Sequence, residues 1–355
     1  MILMSKRILA AACAAATALA LSACSPSAST GGKASKDGTL TVMASFYPLK
    51  YLTEKVGGEH VTVTSLTPDG AEPHDLELSP KMVDSLASAD AVVYLAGFQG
   101  AVDEAIEQHA PTTVIDVSSA AQLVAIDSTS NHPGEDEGTD EAQSGEAQSG
   151  KAQSGQAADH DHEGHEHEGH DHEHADHDHH HHDMSMDPHF WLDPARMANA
   201  ATLVGDKLAE ADPTNAETYK ANAQALNKEL TSLGDNLVTK TSTCQIKTFV
   251  TAHTAFGYLA DRTGLTQVGI SGLDPESSPS PARLAEIGKI AKDQGVTTIF
   301  TEALIDPKVA QTLADDLGIS TAVLDPIESQ TDSSKDYAAV MNDNIDALTK
   351  ANNCQ

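Results

Sequence analysis

Residues 132–183 constrain this chain most, because they cannot enter a hydrophobic core and must divide whatever core exists. The stretch opens His132-Pro133-Gly134-Glu135-Asp136-Glu137. It then repeats Glu-Ala-Gln-Ser-Gly at 141–145 and 146–150, with residues 151–155 as a third copy beginning in Lys151. Residues 135–183 hold 16 acids against one lysine, and 160–182 hold 12 histidines. Burial cannot offset the entropy of ordering such a segment, so the expectation is an insert that stays disordered without metal. Of the whole chain's charge of −32 (21 basic, 53 acidic side chains), this segment supplies 1 − 16 = −15. A chain so acidic would be repelled by a polyanion, which excludes a nucleic-acid partner.

On either side of the insert the pattern alternates between strands and helices. Before it, strand-like runs at 39–45, 60–66, 91–96 and 112–117 are separated by helical runs at 48–57, 79–89 and 102–109. Ser79 and Pro80 read as a helix cap and first position. After it come helical runs at 194–211 and 214–238. Strands then follow at 246–252, 267–271, 297–301 and 321–324, alternating with helices at 255–264, 281–295, 307–318 and 337–352. Strands separated by helices of this length imply βαβ units and parallel sheets. The expected fold is α/β: one αβ lobe over 39–212 carrying the insert, a long rigid linking helix over 213–240, and a second αβ lobe over 241–355.

The N-terminus speaks to compartment. Lys6 and Arg7 precede an Ala/Leu-rich run from Ile8 to Leu21, too short to span a bilayer comfortably. Leu21-Ser22-Ala23-Cys24 then resembles a bacterial lipobox, so residues 1–23 read as a lipoprotein signal peptide and Cys24 as the lipidated residue. Residues 24–38 read as a flexible tether. The mature chain is expected outside the cytoplasm, held to the cell membrane by that lipid. Two other cysteines remain, Cys244 and Cys354. An even pair in an oxidising compartment favours a disulfide, with two free thiols as the alternative.

Metal chemistry is the strongest functional signal. Imidazoles interleaved with carboxylates from His160 to His182 offer adaptable ligands, and imidazole suits Zn, Cu and Ni. The twelve are His160, His162, His165, His167, His170, His172, His174, His177, His179, His180, His181 and His182, expected as accessory weak sites. Three more stand at or near predicted C-terminal strand ends or loops, and that edge is where open αβ sheets bind ligands. His74 lies in Glu72-Pro73-His74-Asp75, His189 in Asp187-Pro188-His189-Phe190-Trp191-Leu192-Asp193-Pro194, and His253 in Thr251-Ala252-His253-Thr254-Ala255-Phe256-Gly257-Tyr258. His60, His109 and His132 lack such contexts and read as structural. A fourth ligand should be acidic or water. Asp325 and Glu302, each ending a strand-like run, are the candidates.

Together these motifs resemble the zinc-uptake solute-binding lipoproteins of bacterial metal ABC importers (ZnuA-like, with TroA-like folds), over about residues 39–355. The resemblance implies two αβ lobes on a long rigid helix with metal in the cleft between them. Carried over, His74, His189 and His253 match the family's three histidine ligands and Asp325 its aspartate. His253 argues for Zn²⁺ over Mn²⁺, because manganese-type members carry Glu there. One departure is Pro73, where some zinc-type members place Glu before the first histidine. The implied partners are a permease and its ATPase, with the protein itself a monomer and not an enzyme. Two other functions fit the residues less fully: a surface zinc buffer or adhesin, and a zinc-dependent hydrolase for which Glu302 is the one suggestive base.

Overall fold

A computed structural model describes residues 38–109, 111–127, 131–132 and 185–355. The signal peptide, Cys24, nearly all of the tether and the twelve histidines at 160–182 lie outside the described residues.

The first sheet is built from β1 (Leu40–Ala44), β2 (Val61–Ser65), β3 (Ala91–Tyr94) and β4 (Thr113–Asp116), in the order β2-β1-β3-β4 and parallel throughout. Helices α1 (Tyr47–Gly57), α2 (Pro80–Ser88) and α3 (Gly100–His109) make the crossovers. A short helix, α4 (Ser118–Ala121), follows β4. The second sheet repeats the arrangement. Its strands β5 (Thr248–Thr251), β6 (Thr266–Gly269), β7 (Thr298–Thr301) and β8 (Ser320–Val323) lie in the order β6-β5-β7-β8, again all parallel. Here the crossovers are α7 (Gly257–Thr263), α8 (Pro281–Asp293) and α9 (Lys308–Leu317), and α10 (Tyr337–Ala351) closes the chain. Central strands are buried on both faces, as at β5, where every residue of Thr-Phe-Val-Thr is inaccessible. Edge strands β2 and β8 are partly exposed. A crossover helix on each face of a parallel sheet produces this difference.

Between the sheets run α5 (Pro194–Ala211) and α6 (Ala216–Thr241). At 26 residues, α6 is about 39 Å long. Its buried stripe, Tyr219, Ala223, Leu226, Leu230, Leu233 and Leu237, recurs every three or four residues and faces inward. Helix α5 meets it closely: a Cβ at Gly205 would stand 2.5 Å from the Ala223 methyl, so glycine is required at the crossing. Helix starts follow capping chemistry. Ser79, Asp193 and Ser280 accept from first-turn amides, each with proline next in the chain, and Asp336 accepts from Ala339 N.

The largest core cluster is shared by both lobes. It runs from Val42, Leu49 and Leu52 through Trp191, Leu208 and Leu230 to Phe249, Leu324, Tyr337 and Ile345. Trp191, fully buried, donates its indole N–H to Pro326 O at 2.7 Å, and the Tyr337 hydroxyl donates back to Trp191 O at 2.5 Å. The lobes are therefore tied through one interior rather than hinged on a strand of glycine. A disulfide joins Cys244 to Cys354, fastening the chain end beside the start of the second sheet. No helix among the described residues is long and apolar enough to cross a membrane.

Candidate metal centre

Four side chains from four loops converge between the lobes. His74 lies in the loop after β2. Gln99 fixes that loop, its side-chain amide donating to Thr67 Oγ1 at 3.0 Å and to Pro73 O at 3.1 Å. Glu72 accepts from His74 N at 2.8 Å. His189 precedes the 3-10 turn Phe190–Leu192. Its backbone N and its Nδ1 both donate to Asp187 Oδ1, at 2.9 and 2.8 Å. His253 lies two residues past β5, and its Nδ1 faces both oxygens of Glu302 at 2.7 and 2.8 Å. With Nδ1 protonated by these contacts, the lone pair of His189 and of His253 is left on Nε2, which points into the centre.

The fourth member is Glu328. Its Oε1 lies 3.5 Å from His74 Nε2, 3.3 Å from His189 Nε2 and 3.4 Å from His253 Nε2. The four donor atoms all lie within 4.8 Å of one another. Each of them is buried and has no hydrogen-bond partner. Four orphaned polar atoms in one buried spot are costly unless something completes them. A tetrahedron with its centre about 2.0–2.1 Å from each corner has edges of about 3.3–3.4 Å, the span a zinc ion requires of its ligands. The donor chemistry and the spacing therefore fit one tetrahedral cation.

Electrostatics follow from burial and pairing. Burial, with the neighbouring His189 and His253 adding to it, holds the His74 imidazole below its ordinary value against the pull of Glu328. At His189 burial acts the same way, but the carboxylates of Asp187 and Glu328 outweigh it and raise the imidazole. Against the same burial, Glu302 and Glu328 carry His253 well above. Glu328 is pushed up by burial and pulled well below the carboxylate range by the three imidazoles, which win. Burial, with the charge of Glu328 added, pushes the neighbouring Glu72 up to about 8.

The fourth position differs from the sequence expectation. Asp325 turns inward to its own loop: its Oδ1 accepts from Ile327 N at 2.8 Å, and its backbone is clamped by Asn344 in both directions, at 2.8 and 2.6 Å. Ile327, buried and β-branched, adopts φ +58°, a conformation that costs on the order of 1–3 kcal/mol. The Asp325 bond and the Trp191 bond to Pro326 hold that turn, and the turn delivers Glu328 five residues beyond the end of β8. Glu302 is not in the cluster either; it orients His253. The sequence pointed to an acid in this loop but gave no sign that the chain would reverse at Ile327. A second residue was undervalued. His132 is buried, with Nδ1 2.5 Å from Asp187 Oδ2 and Nε2 2.9 Å from Asp261 Oδ2.

The family described as "Zinc-uptake complex component A periplasmic" (ZnuA) matches residues 42–351.

The chain belongs to the ZnuA family.

Among curated relatives, the high-affinity zinc uptake system protein ZnuA of Bacillus subtilis (strain 168) is 32% identical over 341 residues, covering 94% of each chain. The zinc-binding protein AdcA of Streptococcus pyogenes serotype M3 is 34% identical over 324 residues, covering 88% of this chain. The match takes in only 56% of AdcA, so this chain spans about half the length of that relative. A solved structure of Zn(II)-bound AdcA from Streptococcus pneumoniae superimposes with a TM-score of 0.66 at 28% identity, over 90% of this chain and 59% of the other.

Proposed function

We propose that this ZnuA-family chain captures Zn²⁺ outside the cytoplasm and delivers it to the permease of an ABC importer powered by a separate ATPase. One observation carries the reading: three imidazole Nε2 atoms and one carboxylate oxygen, all buried and unpartnered, converge within 4.8 Å of one another, with the carboxylate oxygen 3.3–3.5 Å from each nitrogen, close to the edge of a zinc tetrahedron. The proposed ligands are His74, His189, His253 and Glu328. Three neutral imidazoles and one carboxylate leave the bound ion a net charge of +1, and the nitrogen-rich set favours zinc over manganese. Every donor comes from the protein. That supports holding a cargo rather than activating a water, since catalytic zinc sites keep one position open. The zinc-related names of the B. subtilis and streptococcal relatives support the same cargo.

The wider arrangement follows from this reading. Cys24 carries the lipid that holds the monomer at the membrane, and the twelve histidines of 160–182 act as a weak collector that raises zinc concentration near the tight site. Titration of the metal-stripped chain with Zn²⁺ against a chromophoric chelator tests the core claim. The expected result is one tight equivalent that survives removal of 135–183. Loss of the tight equivalent with that segment would overturn the four-ligand assignment.

A further inference from the structure

We propose that His132 is a positioning residue of the metal centre: it clamps Asp187, and through Asp187 it sets the direction of the His189 lone pair. The inference rests on the zinc-binding reading above and goes beyond the four ligands.

Asp187 is fully buried and uses its two oxygens for different tasks. Oδ1 takes the backbone N and Nδ1 of His189 at 2.9 and 2.8 Å, while Oδ2 takes His132 Nδ1 at 2.5 Å. Fixing Oδ2 fixes the carboxylate plane, which fixes the line along which His189 presents Nε2. His132 is itself held on its far side. Its Nε2 faces Asp261 Oδ2 at 2.9 Å, and its ring stands edge-on to Tyr258 with centroids 4.7 Å apart. Tyr258 also donates its hydroxyl to Asp187 O at 2.7 Å, so one aromatic side chain supports both ends of the clamp. The fit against α7 leaves no slack: a Cβ at Gly257 would stand 2.7 Å from His132 Nδ1.

The neighbouring residue shows what else this segment grips. Asn131 donates to Asp261 Oδ1 at 2.9 Å, and its own side-chain oxygen accepts from Gln267 N at 3.2 Å. Both partners belong to the second αβ lobe. Thus 131–132, at the start of the acidic, histidine-rich segment, are seated on the lobe that supplies His253, while His132 reaches back to the residue that orients His189. Outer partners of metal-binding histidines commonly set affinity by 10–100-fold, because they fix tautomer and ring orientation.

Two amide substitutions separate positioning from mere anchoring, since an asparagine amide reproduces the Nδ1 donor and a glutamine amide the Nε2 donor of histidine. In metal-stripped full-length protein titrated with Zn²⁺ against a chelator, His132→Asn should stay near the parent affinity. His132→Gln should lose about 10–100-fold and perturb the visible spectrum of the Co²⁺-loaded protein. In an Asp187→Asn background, His132→Gln should cost no more than Asp187→Asn alone, the signature of action through one shared residue. Thermal midpoints recorded for each variant separate a folding defect from a metal-site defect. Equal affinity and spectra for His132→Gln and the parent, both folded, overturn the proposal. So does a full additional loss in the Asp187→Asn background. A parent protein with no tight zinc equivalent overturns the zinc reading itself, a distinct result.

Discussion

Glu328 Oε1 lies 3.3 Å from His189 Nε2 across the boundary between the two lobes, with neither atom bonded to anything else. The pair is half of a preformed tetrahedron. The lobes that present it share a continuous core, so little rearrangement is needed to receive an ion.

Removing Glu328 should therefore do more than remove Asp325. Glu328→Ala should weaken Zn²⁺ binding by more than the 10–100-fold typical of outer partners. Asp325→Ala should mainly lower the thermal midpoint, because it takes away the bond to Ile327 N that holds a left-handed isoleucine. Competition titration and calorimetry on the two variants check this. Equal zinc affinities for both would reverse the assignment.

Glu302→Gln should also weaken zinc, though less than His253→Ala. The carboxylate of Glu302 receives His253 Nδ1 and the backbone N of His253, so it governs the tautomer rather than the coordination. Isothermal titration should show unchanged stoichiometry for Glu302→Gln with about 10–100-fold lower affinity. Loss of the tight equivalent altogether would mean that Glu302 is an inner ligand.

Acidity should move metal-free stability and zinc affinity in opposite directions. Folding raises the pKa of His132, His189 and His253 above their ordinary 6.5, so their contribution to stability is complete below pH 6.5 and is lost as pH rises through the folded values. His74, lowered by burial and by its neighbours His189 and His253, opposes them. At the acid end Asp187 is pushed up by burial but held down to about 2 by His132 and His189, so its contribution is present above its ordinary 3.8 and fades toward pH 2. The thermal midpoint of stripped protein should fall from pH 6 to 9. Zinc affinity should rise over the same range, because the metal needs bare Nε2 atoms. A midpoint that climbs with pH would contradict the first half of this expectation.

The folded protein should show no reactive thiol at Cys244 or Cys354. Their bridge spans a separation of 110 residues, for which chain-entropy models give about 4–5 kcal/mol as an upper figure. Alkylation before and after reduction, with calorimetry on both forms, tests it. Labelling of either cysteine without reductant would contradict the bridge.

Deleting 135–183 should leave fold and tight site in place. The base of that segment is already closed, with Ile126 N donating to Ser185 O at 3.1 Å and Asp187 N to Val124 O at 2.9 Å. The loss should be confined to weak zinc equivalents, visible by calorimetric titration. A collapse of the thermal midpoint would show that the segment is structural.

The alternation of strand and helix was legible because each crossover helix carries its own apolar stripe and start signal, as at Ser79-Pro80 and Asp193-Pro194. The three histidines were legible because each stands in a distinctive loop motif: Pro73-His74-Asp75 after β2, Pro188-His189-Phe190-Trp191 at the exit of the insert, and Ala252-His253-Thr254 after β5. Glu328 was not, because its placement depends on a backbone reversal at Ile327 that no residue type announces. A β-branched residue is the last expected at positive φ. His132 was hidden for a different reason. It opens a polar segment and has no apolar neighbours in sequence, yet its burial comes from Gly257, Tyr258 and Asp261, more than a hundred positions away. Nor was the shared interior visible, since the buried stripe of α6 does not say that both lobes will rest on it.

The two sheets follow one strand order, and that repetition has a consequence for ownership of the metal. In each half, one donor follows the last strand of the sheet: His189 after β4, Glu328 after β8. His74 and His253 complete the set, one from each half. Neither half holds more than two of the four donors, so a severed half has no tetrahedral site to inherit. The site exists only as a seam, and reading whether that seam is filled amounts to reading whether both halves are in register.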